Sequence, residues 1–270
     1  MKKLFSAIIL SFIVQSAIAQ SARVPIQTDR PDQTESPSTV PPGYWQMEMG
    51  ILFQGDEINV NGMSQKNNSL VSPTLLTKYG VTKKFELRLI TELGTNQNII
   101  GNVTQSTTGI KPVIVGMKMN LLQESKSHWR PKTSLIVHMG LNALASKDFQ
   151  TTNPFPQFRF LMQHSLTDRL SLGYNLGGEW NGFDNRMTTI YTLTLAESLT
   201  KRLGVFIELY GFMDGYKYFS ANQGHDHRFD AGFTYLAEKN VQFDISGGFG
   251  ITDISPDYFL SGGISFRLPK

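Results

Sequence analysis

The chain has 270 residues, with 25 Lys and Arg against 22 Asp and Glu, no cysteine, 24 glycines, 17% charged and 11% aromatic residues. A net charge of +3 is too small for a nucleic-acid binder driven by gross positive charge, and the lack of cysteine excludes a disulfide framework. Charged residues also fall below the roughly 25% usual in soluble domains.

Lys2 and Lys3, the apolar run Leu4 to Val14 and the small-residue site Ala17-Ile18-Ala19 form the three parts of a secretory signal over residues 1–19. Cleavage there predicts a mature chain of 270 − 19 = 251 residues with a net charge of 23 − 22 = +1. Beyond it no run reaches the roughly 18 apolar residues of a helical span. Residues 20–42 hold five of the twelve prolines and the polar stretch TDRPDQTESPSTVPPG. Such a stretch does not fold alone, but at about 3.3 Å per extended residue it reaches well into the interior of a barrel. It is expected to act as a plug, with Asp29, Arg30, Asp32 and Glu35 pairing with lumen charges; a loose periplasmic leader is the alternative.

From Gly43 onward the apolar residues recur with period two, the signature of a strand with one apolar face. Trp45, Met47, Met49, Ile51 and Phe53 alternate with Gln46, Glu48 and Gly50. Val71, Leu75 and Tyr79 oppose Ser72, Thr74 and Lys78, and Phe85 to Leu93 oppose Glu86, Arg88 and Glu92. Two further runs place Val113 to Met119 against Lys118 and Asn120, and Leu135 to Leu141 against Ser134 and His138. The second half sets Phe158 and Phe160 against Arg159, Leu170 to Trp180 against Asn175 and Glu179, and Tyr191 to Leu195 against Thr192 and Thr194. Then come Val205 to Leu209 against Glu208, Phe229 to Tyr235 against Arg228 and Asp230, Val241 to Phe249 against Asp244, and Leu260 to Leu268 against Ser261, Gly263 and Arg267.

This pattern predicts twelve strands over residues 43–270, each near the 9–11 residues that a tilted strand needs to cross a bilayer. Connections alternate between long (55–67, 94–109, 142–153, 214–226) and short (80–83, 167–169, 200–202, 237–240), and only 122–130 departs from the order. The short turns GVTKKFEL, SLTDRLSL, SLTKRLGV and YLAEKNVQF resemble one another, which marks a repeated hairpin. The expected fold is therefore all-β: a closed antiparallel transmembrane β-barrel in the outer membrane of a Gram-negative bacterium, monomeric and surrounded by its lipids. A soluble sandwich also alternates, but without this length and loop order. At the chain end Ser261, Gly263, Phe266 and Leu268 resemble the terminal signal read by the barrel assembly machinery.

The predicted lumen set is Gln46, Glu48, Lys78, Glu86, Arg88, Glu92, Lys118, His138, Arg159, Glu179, Glu208, Arg228, Asp230, Asp244 and Arg267, with Phe206, Tyr210 and Phe212 on the same register. Both signs occur, so no single-sign ring selects anions or cations; the set reads either as a polar path or as a self-paired network. A lipid hydrolase on a twelve-strand barrel needs His-x-Ser, and none of the five histidines (128, 138, 164, 225, 227) has serine two residues on. His225-Asp226-His227 lacks the three or four converging ligands of a stable zinc site, so no metal, cofactor or catalytic residue is expected. The aromatic run Tyr216-Lys217-Tyr218-Phe219, with Trp45, Tyr79, Phe85, Tyr235 and Tyr258, suits an interfacial girdle.

The opening TDRPDQTESPSTVPPGYWQMEMG, the hairpin PTLLTKYGVTKKFELRL and the close FDAGFTYLAEKNVQFDISGGFGITDISPDYFLSGGISFRL resemble outer-membrane proteins of the MetA-pathway of phenol degradation family. The resemblance implies a β-barrel and the uptake of small aromatic or apolar compounds, and it brings no catalytic residues. The combined expectation is a passive channel or transporter for small molecules. The alternative is a structural or surface-interaction barrel with a blocked lumen.

Overall fold

The computed structural model describes residues 25–60, 63–214 and 225–269. The expected signal sequence 1–19 and the aromatic run 216–219 lie outside the described residues. Alternating side chains form extended strands because each strand can then give one face to each environment. Thirteen result among the described residues: β1 (Trp45–Val60), β2 (Met63–Thr82), β3 (Phe85–Ile100), β4 (Val103–Ile110), β5 (Val113–Leu122), β6 (Lys132–Leu141), β7 (Phe155–Ser165), β8 (Leu170–Trp180), β9 (Met187–Ser198), β10 (Leu203–Asp214), β11 (Asp226–Glu238), β12 (Val241–Gly250) and β13 (Tyr258–Leu268).

Neighbours pair antiparallel, and the β1–β13 and β2–β3 ladders close the sheet. Twelve strands make the ring. The thirteenth, β4, stands outside it and pairs with Leu93–Ile100 of β3, whose other half, Phe85–Ile90, pairs with β5. Closure leaves no edge in the ring whose backbone groups lipid would strand unbonded.

Burial is inverted relative to a water-soluble domain. Leu87, Val115, Val137, Leu176, Leu193, Leu209 and Phe243 are exposed on the outside, whereas Glu86 and Lys118 are 0% and Glu48, Lys78 and Glu208 1% exposed within. Water would not tolerate that apolar belt, and lipid requires it. The molecule is a closed twelve-stranded antiparallel transmembrane β-barrel with one extra strand.

Two expected long loops are in fact strand. Residues 55–67 continue the β1–β2 ladder out to Val60↔Met63, and 94–109 form the β3–β4 hairpin closing at Ile100↔Val103. A ladder outside the membrane needs only paired backbone, not an apolar face, so polar residues such as Asn67 and Asn98 extend it without a period-two signal. At the turn between β3 and β4, Gly101 takes φ +56, a conformation that glycine adopts without a Cβ penalty. A second correction concerns Val71. The ladders slip one residue between Val71 and Thr74, so Val71 is 6% exposed and shares the lumen side with Thr74 and Lys78 rather than facing out with Leu75.

Candidate functional site

Residues 25–44 enter the ring at the short-turn end, where the Ile26 amide donates to Lys239 O in the β11–β12 turn (2.8 Å). They leave beside β2, where the Gly43 amide donates to Gly80 O (2.7 Å). Between these points the segment bonds to side chains around the ring, which places residues 29–37 inside the barrel.

One wall is basic. Lys78 and Arg88 sit directly opposite each other across β2–β3, an arrangement that repels by itself. The Asp29 carboxylate relieves it, accepting from Lys78 Nζ (2.8 Å), Arg88 Nη1 (2.8 Å) and Lys118 Nζ (2.9 Å). Glu48 completes the seat by pairing with Lys78 (2.5 Å) and accepting the amides of Asp29 (2.9 Å) and Arg30 (3.1 Å). Glu35 takes the other arm of Arg88 at 2.6 Å, and Glu86 accepts the Val40 amide at 2.7 Å. Burial works to raise the Asp29 carboxyl, but Lys118, Lys78 and Arg88 outweigh it and hold the group well below the usual carboxylate range. Glu35 is likewise lowered, because Arg88 overcomes its desolvation.

Next comes a slot made of glycine. Gly50 and Gly263 are direct partners across β1–β13, and the Arg30 guanidinium lies where their Cβ atoms would be, 2.2 and 2.5 Å from those positions. Through the slot Arg30 reaches Asp244 (2.9 Å) and Ser261 (3.0 Å).

The far wall is acidic. Glu208 accepts the amides of Gln33 (2.8 Å) and Thr34 (2.7 Å), and Thr34 Oγ1 lies 2.6 Å from Thr192 Oγ1. The Glu35 amide donates to Asn175 Oδ1 at 2.7 Å. Glu208 and Asp230 are direct partners on β10 and β11. Asp32 approaches both, and burial followed by repulsion from Glu208 and Asp230 pushes its carboxyl well above the usual range.

The segment divides the interior. On the long-connection side lies a cavity of about 370 Å³ floored by Arg30 to Gln33; on the short-turn side lies one of about 260 Å³. Asp32 lines both.

Of the residues singled out from sequence, Gln46, Glu48, Lys78, Glu86, Arg88, Lys118, Glu208 and Asp244 bond to the segment directly, Gln46 through Gln27 O at 2.8 Å. Arg159 reaches Gln33 O at 3.4 Å. Glu92, Tyr210, Arg228 and Asp230 line the larger cavity, and Glu92 pairs with Lys111. His138 accepts from Arg88 Nε (3.1 Å), Glu179 lies opposite Gln157 and Thr188, and Arg267 stacks near Tyr44 at the short-turn end. Phe206 is buried at 4%, and Phe212 lines the cavity beside Tyr210. In the terminal motif Ser261 and Gly263 serve Arg30, while Phe266 and Leu268 pair with Met47 and Trp45 of β1. Asp226 is held by Arg228 and Ser255, and His227 by Tyr191. The sequence reading missed the Gly50–Gly263 slot, which requires the register, and the amide groups of residues 33–35, which carry no side-chain signal.

A barrel with this inverted polarity and an N-terminal segment threaded into its interior belongs to the transmembrane β-barrels of outer-membrane type. The chain belongs to the family described as "Putative MetA-pathway of phenol degradation", whose model matches residues 28–268. In fold it is similar to the COG4313 outer membrane channel from Pseudomonas putida F1 (TM-score 0.68, 10% identity, 88% of this chain and 99% of that one). It is also similar to the translocator domain of the autotransporter NalP from Neisseria meningitidis (TM-score 0.54, 10% identity, 99% and 98%) and to the NanC porin (TM-score 0.50, 9% identity, 82% and 100%). No curated protein matches the sequence significantly.

Proposed function

We propose that the protein is a monomeric outer-membrane channel for passive uptake of small solutes, held closed by residues 20–42 acting as an internal plug. The observation that carries this reading is the septum: residues 29–35 bridge the basic and acidic walls, with a cavity on each side and Asp32 lining both. Membership of a family named for phenol degradation supports small aromatic or apolar solutes, and the fold shared with a channel and a porin is compatible with passage. Export by residues 1–19 and insertion by the barrel assembly machinery through Ser261, Gly263, Phe266 and Leu268 complete the reading, which contains no catalytic step. The number of fully buried ion pairs favours a second reading, a structural barrel with a permanently blocked lumen.

Solute flux separates the two. Proteoliposomes carrying the mature chain are expected to admit small neutral solutes slowly, and those carrying a variant without residues 20–42 to admit them faster. No flux in either, with folding verified by heat-modifiable gel mobility, contradicts the channel.

A further inference from the structure

At the larger cavity the cations are already paired: Arg30 with Asp244 (2.9 Å), Arg228 with Asp226 (2.5 Å) and Lys111 with Glu92 (2.9 Å). Asp32 and Asp230 line the same cavity, and among the described residues neither has an ion-pair partner. Asp230 is 2% exposed and its Oδ1 has no hydrogen-bond partner; Ser246, 5% exposed and also lining the cavity, has an unpartnered Oγ. Buried polar atoms left this way cost free energy until a donor reaches them.

Beside these oxygens stands an aromatic wall. Tyr210 meets Phe212 and Phe259 edge to face, with ring centroids 5.9 and 6.2 Å apart. The wall already attracts a cation, since the Arg228 guanidinium lies 6.0 Å from the Tyr210 ring and 5.5 Å from that of Phe212. Carboxyl groups without a cation partner, next to ring faces, suit an ammonium ion on an apolar body, which would displace the proton that burial and repulsion hold at Asp32; a bare metal ion finds no group of three ligands among the described residues. At about 370 Å³ the cavity has the size of a small-molecule site.

We propose that this cavity is a selectivity chamber for small organic cations, with the ammonium donating to Asp230, Asp32 and Ser246 Oγ and the apolar body lying on Tyr210, Phe212 and Phe259. This rests on the channel reading and names the solute class it favours. An uncharged hydroxyl of the same shape can donate to Asp230 but cannot take the place of a proton's charge, and a carboxylate meets only cations that are already paired.

The test uses benzylammonium, benzyl alcohol and benzoate on the mature protein, with binding measured by calorimetry in detergent and flux measured in proteoliposomes. Benzylammonium is expected to bind about tenfold more tightly than benzyl alcohol, with benzoate weakest. Asp230→Asn removes that preference and Asp32→Asn reduces it, each read as the ratio of the benzylammonium and benzyl alcohol affinities in the same variant. The wild-type comparison needs no variant, so poor folding of either one does not decide the matter. Equal binding of ammonium and alcohol, no binding of benzylammonium, or a preference that survives both substitutions overturns the proposal. Flux without cation preference overturns the chamber and leaves the channel standing; absence of all flux, even without residues 20–42, overturns the channel.

Discussion

Asp29 is the residue on which the basic wall converges. Three cations from three strands meet one carboxylate, so removing its charge leaves Lys78, Arg88 and Lys118 buried and under-compensated. Breaking a buried pair from one side costs about 3–5 kcal/mol; Asp29→Asn should therefore loosen the segment, read as faster cleavage after Glu35 by a glutamate-specific protease with the barrel's gel mobility retained. Gly50→Leu should act similarly by filling the space Arg30 occupies, and unchanged cleavage would argue against the slot. The two walls hold the segment with opposite pH dependence. Asp29 and Glu35 are lowered, so their contribution is present above the ordinary carboxylate range and is lost only as pH falls well below it. Asp32, between them, is raised, so its place against the acidic wall is most secure below about pH 4 and weakens as pH rises through its elevated value. Segment release should increase from acid towards neutral pH, and Asp32→Asn should flatten that profile.

At the scale of elements, the ring strands were legible because lipid enforces strict alternation. The exposed face of β9, for example, includes Leu193 and Leu195, and its buried face Thr192 and Thr194. Leu193→Arg should cost about 2–4 kcal/mol near the midplane and reduce insertion, measured by heat-modifiable mobility after refolding. The β1–β2 and β3–β4 extensions were illegible because no apolar face marks a ladder that stands in water. Val71 was assigned to the wrong face because a slip of one residue reverses every side chain beyond it. Lumen charges could be named from their register, but their partners could not. That Lys78 and Arg88 share Asp29 depends on a fold-back of the segment which no spacing encodes.

The whole molecule is a ring of strands with an apolar outside, whose polar interior is crossed by its own N-terminal segment. The outside supplies insertion, the closed ladder satisfies the backbone, and the ion network fixes the septum. Whether that septum governs passage is the central claim, and the cysteine-free chain offers a direct test. Thr34 Oγ1 and Thr192 Oγ1 lie 2.6 Å apart, so a Thr34→Cys/Thr192→Cys pair can tie the segment to β9. Single-channel conductance in planar bilayers is then recorded from this variant before and after reduction. The account predicts silence when oxidised and opening events when reduced; conductance that is equal and steady in both states would contradict it.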